Sequence, residues 1–191
     1  MKHHTILRHA VLLAALLVAP GLRAAEVAGI RIADSVPVGN SNLQLNGAGL
    51  RSKLFIKVYV GALYVDKRQG NAAALLDISG PRQLQMRMLR DVDADSLQAA
   101  LDDGLADNLS PDELAALKPQ IAQLSGIMRG IGKAREGDTI AIDFLPDTLK
   151  VALNGAPRGE VAGAALPPAL LKVWLGHKPV DASLKKALLG Q

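Results

Sequence analysis

The chain has 191 residues, with 22 basic and 18 acidic side chains, four histidines and no cysteine. Without cysteine it has no disulfide, no thiolate metal site and no cysteine nucleophile, so packing alone must stabilise it. Its aromatic content is low: two tyrosines, two phenylalanines and one tryptophan.

Residues 1–25 read as a secretory signal peptide. Lys2 and Arg8 form a basic start, "AVLLAALLVAPG" is an apolar core too short to span a bilayer comfortably, and small residues follow for cleavage after Ala24 or Ala25. Export to the periplasm is the expectation. Cleavage removes Lys2, Arg8 and Arg23 from the 22 basic residues and none of the 18 acids, leaving a net charge of +1. A chain so near neutrality gives no overall electrostatic case for nucleic acid or an anionic membrane. His3, His4 and His9 leave with the leader, so His177 alone remains. It lies in "LGHKPVD", a loop between two helical segments, which is the setting of a solvated histidine rather than of a triad base. Residues 26–191 are expected to form one soluble domain, with no stable membrane insertion.

The first half of that domain reads as strands. "VAGIRIADSV" predicts a first strand ending near Asp34, and "SNLQLNGAGL" alternates Leu43 and Leu45 with polar residues. "LFIKVYVGALYV" is β-branched and aromatic throughout, which predicts one long strand with Gly61 as a bulge or a point of close contact. "NAAALLDI" predicts a short helix and "RQLQMRML" a half-buried strand.

The middle is helical. Leu97, Leu101, Leu105 and Leu109 recur every four residues behind a cap at Asp93 or Asp95. "SPDE" is a capping box built on Ser110 and Glu113, opening a helix that Pro119 should kink or split. "DTIAIDFL", "TLKVALN" and "PRGEVAG" are strands joined by turns at Pro146-Asp147 and Asn154-Gly155. Two closing helices follow: "PPALLKVWLG", with Gly176 as C-cap, and "DASLKKALLG", with Asp181 as N-cap. The order of elements indicates an α+β fold with a largely antiparallel sheet.

Candidate chemistry concentrates in "LNGAGLRSKLFIKVYVGALYVDKR". Both tyrosines, Tyr59 and Tyr64, lie here with Phe55, just after Arg51. The glycine-rich runs "GAGLRSK" and "GIGKAREGD" match neither a dinucleotide fingerprint nor a P-loop, so no nucleotide cofactor is expected, and no metal is expected either. A guanidinium in an apolar, strand-rich region is costly without a partner, and it grips a carboxylate through two parallel hydrogen bonds. A tyrosine hydroxyl on an apolar body suits the head of a ligand whose tail lies in a pocket. Arg51 with a tyrosine is therefore a candidate anion clamp at the mouth of an apolar cavity. The plainer alternative has Arg51 at a sheet edge and the tyrosines in the core. Arg51 and Tyr64 are thirteen residues apart, an odd number, so a regular strand would point them to opposite faces unless a turn or bulge intervenes.

"GAGLRSKLFIKVYVGALYV", with "GDTIAIDFLPDTLKVALNGAPRGEV" and "LPPALLKVWLGHKPVDASLKKALLG" behind it, resembles the chalcone isomerase-like superfamily. The resemblance implies an open-faced β-sandwich, a large antiparallel sheet under a layer of helices with a ligand cleft between. It offers two activities, intramolecular-lyase cyclisation in the plant enzymes and fatty-acid binding in non-catalytic relatives. The arginine common to both matches Arg51, and the tyrosine that partners it in the fatty-acid binders matches Tyr64. The threonine on the enzymes' signature strand corresponds to Tyr59, or to Val58 if the gap is set differently. The enzymes' tyrosine and asparagine at the start of the helical block, and their C-terminal threonine, have no counterpart here. The departures fall on the isomerase site, so the expectation is a non-catalytic binder of a fatty acid or similar small amphiphilic carboxylate through Arg51, Tyr59 and Tyr64. The alternatives are an intramolecular lyase, with Arg51 favouring a phenolate and Tyr59 polarising a carbonyl, and a structural protein of the envelope. An open apolar pocket beside Arg51 would favour binding. A narrow cleft with Arg51 paired to an aspartate would favour a structural role.

Overall fold

A computed structural model of the chain describes residues 25–77 and 80–191; the expected signal peptide lies outside the described residues but for Ala25. Seven strands form one antiparallel sheet: β3 (Ser35–Val38), β4 (Ser41–Lys53), β5 (Ile56–Val65), β6 (Arg82–Met88), β9 (Thr139–Phe144), β10 (Thr148–Leu153) and β11 (Ala156–Ala162), in the spatial order β11-β10-β9-β6-β5-β4-β3. Two minor pairs complete the strands: β1 (Glu26–Val27) with β2 (Ile30–Arg31), and β7 (Val92–Asp93) with β8 (Lys133–Ala134). The helices are α1 (Ala72–Asp77), α2 (Ala94–Asn108), α3 (Pro111–Ile131), α4 (Leu166–Leu175) and α5 (Ala182–Leu188).

The sheet separates two apolar clusters. On the helix side, Tyr59 and Leu63 of β5, Met86 of β6 and Ile140 of β9 pack with residues of all five helices. On the other side, Val60, Ala62 and Tyr64 of β5 pack with Leu43, Leu45 and the N-terminal Ile32, Val36 and Val38. The period-two alternation of β5 thus feeds both faces of the sheet. Eight of the ten residues of α4 are buried, as a helix apolar all round must be. Among the described residues no helix is long and apolar enough to cross a membrane.

The caps form where the sequence places them. Asp93 accepts from Ser96 N, the Ser110–Glu113 capping box is complete, and Asp181 accepts from Ser183 N and Leu184 N. The Asn154-Gly155 turn has both residues at positive φ, 53° and 78°, as a tight hairpin of this kind needs.

Several expectations are corrected. The first strand is broken by a turn at Ala28-Gly29, whose φ angles of 52° and 81° fold it into the β1–β2 hairpin. The long strand begins at Ile56 and not at Leu54, because Leu54 and Phe55 form the two-residue turn that joins it to β4. The irregularities in that pairing fall between Leu45 and Gly47 and between Arg51 and Ser52, while Gly61 stays in register as a close-contact point beneath Leu184. α3 runs unbroken through Pro119, which lies on the solvent side with Ala115, so water can reach the carbonyl that the proline leaves without its donor. Gly176 caps α4 at φ −69°, outside the left-handed region; what requires a glycine there is the close approach of the Asn108 side chain.

The GAG of the conspicuous stretch also has a packing role. A Cβ at Gly47 would run into the backbone of Ala187 and Gly190, and one at Gly49 into the Ala187 side chain. These glycines let α5 lie directly on β4. That seats Asp181, at the head of α5, against the far end of the same strand, where Asp181 Oδ2 accepts from Ser52 N at 3.2 Å.

Candidate functional site

The antiparallel register of β4 and β5 pairs Arg51 with Tyr59. Both side chains point to the helix side, and the guanidinium carbon stands 5.6 Å from the centroid of the Tyr59 ring. A stacking of this kind is worth roughly 0.5–2 kcal/mol and holds the arginine's long side chain in one place. Among the described residues Arg51 enters none of the ion pairs. It is only partly buried.

Arg51 and Tyr59 stand on the wall of an apolar cavity of about 80 Å³ between the sheet and helices α2, α3 and α4. Met86, Ile140 and Ile142 form its sheet side, Leu97 and Leu101 its α2 side, and Leu170, Val173 and Trp174 its α4 side. Arg51, Val58, Val92, Ser96 and Ala100 also line an open outer cleft of about 330 Å³ that runs to Lys53, Ile56 and Arg90. Arg51 therefore lines both the apolar cavity and the more open outer cleft.

The Tyr59 hydroxyl is fixed within the protein. Trp174 Nε1 donates to it at 2.8 Å, which leaves the hydroxyl proton free to be donated onward. Burial pushes the Tyr59 pKa up to about 12, against the opposing pull of Arg51, so the group is a neutral donor at physiological pH. The chemistry on offer is one fixed cation and one neutral hydroxyl donor at the edge of an apolar chamber. Both groups suit an oxyanion.

Tyr64 is elsewhere. Its register partners are Leu45 and Gln83, and its side chain lies in the apolar cluster on the opposite face of the sheet. Burial and the nearby Asp34 carboxylate push its pKa up to about 12 as well. The structure thus brings Arg51 and Tyr59 together and leaves Tyr64 apart from them. The two-residue turn alone would set Arg51 opposite Val58, in regular alternation on the face of Tyr64; the register shift between Arg51 and Ser52 sets it opposite Tyr59 instead. His177 is exposed in the loop after α4.

Trp174 and Met86 are contributors that sequence reading did not single out. A faint signal existed for Trp174: a buried indole N–H needs an acceptor, and the chain has few side chains able to serve one from the core.

A sequence profile of the chalcone isomerase-like family matches residues 24–190. The chain belongs to the chalcone isomerase-like family. Among solved structures it is similar to a fatty-acid binding protein of Arabidopsis thaliana, with a TM-score of 0.66 over 84% of this chain and 92% of that one. Sequence identity between the two is 18%, so the likeness is one of fold. No curated protein matches the chain significantly.

Proposed function

We propose that this member of the chalcone isomerase-like family is a non-catalytic, periplasmic binding protein for a small amphiphilic carboxylate such as a fatty acid. The carboxylate is held by Arg51 and the Tyr59 hydroxyl, and the tail enters the apolar cavity between sheet and helices. The observation that carries this reading is the position of Arg51: without an ion-pair partner among the described residues, and at the boundary of an apolar chamber. An aspartate paired with Arg51 in a narrow cleft would have favoured a structural role instead. In support, the solved structure of similar fold is that of a fatty-acid binding protein, and the residues missing from this chain are those the family's cyclising enzymes use.

Two refinements follow from the geometry. The tyrosine of the clamp is Tyr59, since Tyr64 faces away. Tail length is limited too, because about 80 Å³ is well below the ~300–1,000 Å³ of pockets that enclose drug-sized ligands. Only a short acyl chain therefore suits the cavity as it stands. A longer chain requires α2 to move outward or Met86 and Met128, the flexible side chains of the lining, to repack.

The test is mass spectrometry of small molecules released from the purified, exported protein and from Arg51→Ala prepared identically. An acidic amphiphile on the wild type and not on the variant supports the proposal. A wild type that is empty and takes up no added carboxylate contradicts it.

A further inference from the structure

The aromatic left unused by the cavity is Phe55. It lies at the tip of the β4–β5 hairpin, where Lys53 pairs with Ile56 and the two-residue turn is Leu54-Phe55. Phe55 is fully exposed at 102%, Leu54 is 83% exposed and Ile56 50%; these are the exposed large hydrophobic residues of the described chain. Leu54 and Phe55 also have φ angles of 48° and 68°. A turn with two positive φ angles is ordinarily made by Asn-Gly or Asp-Gly, because a bulky side chain is disfavoured there. The tip therefore sets two large apolar side chains in water, on a backbone that suits neither of them.

Charge surrounds the tip unevenly. Lys53 and Lys57 flank it and are exposed, and Arg90 lines the adjoining cleft with Lys53. None of the three enters an ion pair among the described residues. The acids of that cleft are already engaged: Asp91 pairs with Lys133 at 3.2 Å, and Asp93 caps α2. The mature chain as a whole is nearly neutral, so the positive charge is local.

We infer that the Leu54-Phe55-Ile56 tip is a docking point for an anionic lipid bilayer surface, inserting its apolar side chains among the acyl chains while Lys53, Lys57 and Arg90 meet the headgroups. A convex apolar tip with a basic collar matches a deformable, negatively charged interface better than a preformed protein groove. The docking is peripheral and needs no spanning helix. It places the outer cleft beside Arg51 at the membrane, but it does not depend on what the cavity binds.

The test is flotation of the purified mature chain with vesicles of equimolar phosphatidylcholine and phosphatidylglycerol, and with vesicles of phosphatidylcholine alone. The wild type should float with the anionic vesicles, less so as salt rises, and poorly with the neutral ones. The double variant Leu54→Asn/Phe55→Gly should lose vesicle partition by about tenfold or more and should also melt at a higher temperature, because its turn chemistry fits the backbone. That gain shows that the loss of binding is not a loss of fold. The proposal is overturned if the wild type ignores both vesicle types, or if the variant floats as well as the wild type. Self-association of the wild type that the variant abolishes, without vesicle binding, would also overturn it and make the tip a contact between copies. The readout is the protein's own partition, so it stands whether or not a carboxylate binds at Arg51.

Discussion

Trp174 Nε1 and the Tyr59 hydroxyl are joined by a buried hydrogen bond of 2.8 Å across 115 residues of sequence. It ties α4 to β5 at the wall of the cavity and fixes the tyrosine that faces Arg51. Tyr59→Phe keeps the ring and its contact with the guanidinium but leaves the indole N–H buried without its acceptor. We expect a loss of about 1–3 kcal/mol in stability, read as a lower urea midpoint at unchanged slope, together with weaker carboxylate binding. Tyr64→Phe makes the same chemical deletion on the other face of the sheet and should leave carboxylate affinity unaltered. A larger effect on affinity from Tyr64 than from Tyr59 would contradict the placement of the site.

Both tyrosines have their pKa pushed up to about 12 from an ordinary value of 10.0. Below pH 10 both are protonated, folded or unfolded, and titration contributes nothing to the pH dependence of stability. Between pH 10 and pH 12 the unfolded chain releases these protons and the folded chain keeps them, so stability falls as pH rises, by roughly 1.4 kcal/mol per pH unit for each tyrosine. Because these are the chain's two tyrosines, the change of near-ultraviolet absorbance with pH reads them alone, since Trp174 absorbs there but does not titrate. Tyrosinate should be scarce in the native protein at pH 11 and should appear together with unfolding. A native protein that titrates fully near pH 10 would show that the hydroxyls are not held as described.

The glycines of the signature stretch give a contrast within one protein. Gly49→Val puts a branched side chain where Ala187 and Leu184 of α5 already sit and should cost about 1–3 kcal/mol by lifting α5 from β4. Gly126, in α3, has open space around its Cβ position and an ordinary φ. Gly126→Ala should therefore stabilise the protein by about 0.5–1 kcal/mol. Thermal melts of the two variants check both signs.

Much of the fold was legible because local chemistry and tertiary structure agree. Ser110-Pro111 with Glu113 capped its helix as read, Asp181 did the same for α5, and Asn154-Gly155 made its hairpin turn. The misread turns are those whose residues are atypical. Ala28 and Leu54-Phe55 adopt positive φ without the asparagine or glycine that usually signals it, so "LFIKVYVGALYV" reads as uninterrupted strand. Of the candidate site, Arg51 and Tyr59 were named and found together. The pairing that the resemblance implied for a carboxylate was Arg51 with Tyr64, and the register shift between Arg51 and Ser52 that sets Arg51 opposite Tyr59 instead has no signal in the sequence. Trp174 could not be paired with Tyr59 from sequence, because α4 reaches β5 through packing that no local pattern encodes. The meaning of the GAG run was equally hidden: its glycines make room for a helix more than 130 residues downstream, as the Gly47–Ala187 approach shows.

Calorimetric titration of the purified protein with octanoate and with octanol, repeated on Arg51→Ala, tests the proposed site most directly. The two probes share one apolar tail and differ in the charge of the head. We expect octanoate to bind the wild type more tightly than octanol, and Arg51→Ala to lose about 1.5–3 kcal/mol of octanoate affinity while octanol binding barely changes. Equal octanoate affinity in the wild type and Arg51→Ala, with both proteins folded, would contradict an arginine-anchored carboxylate site.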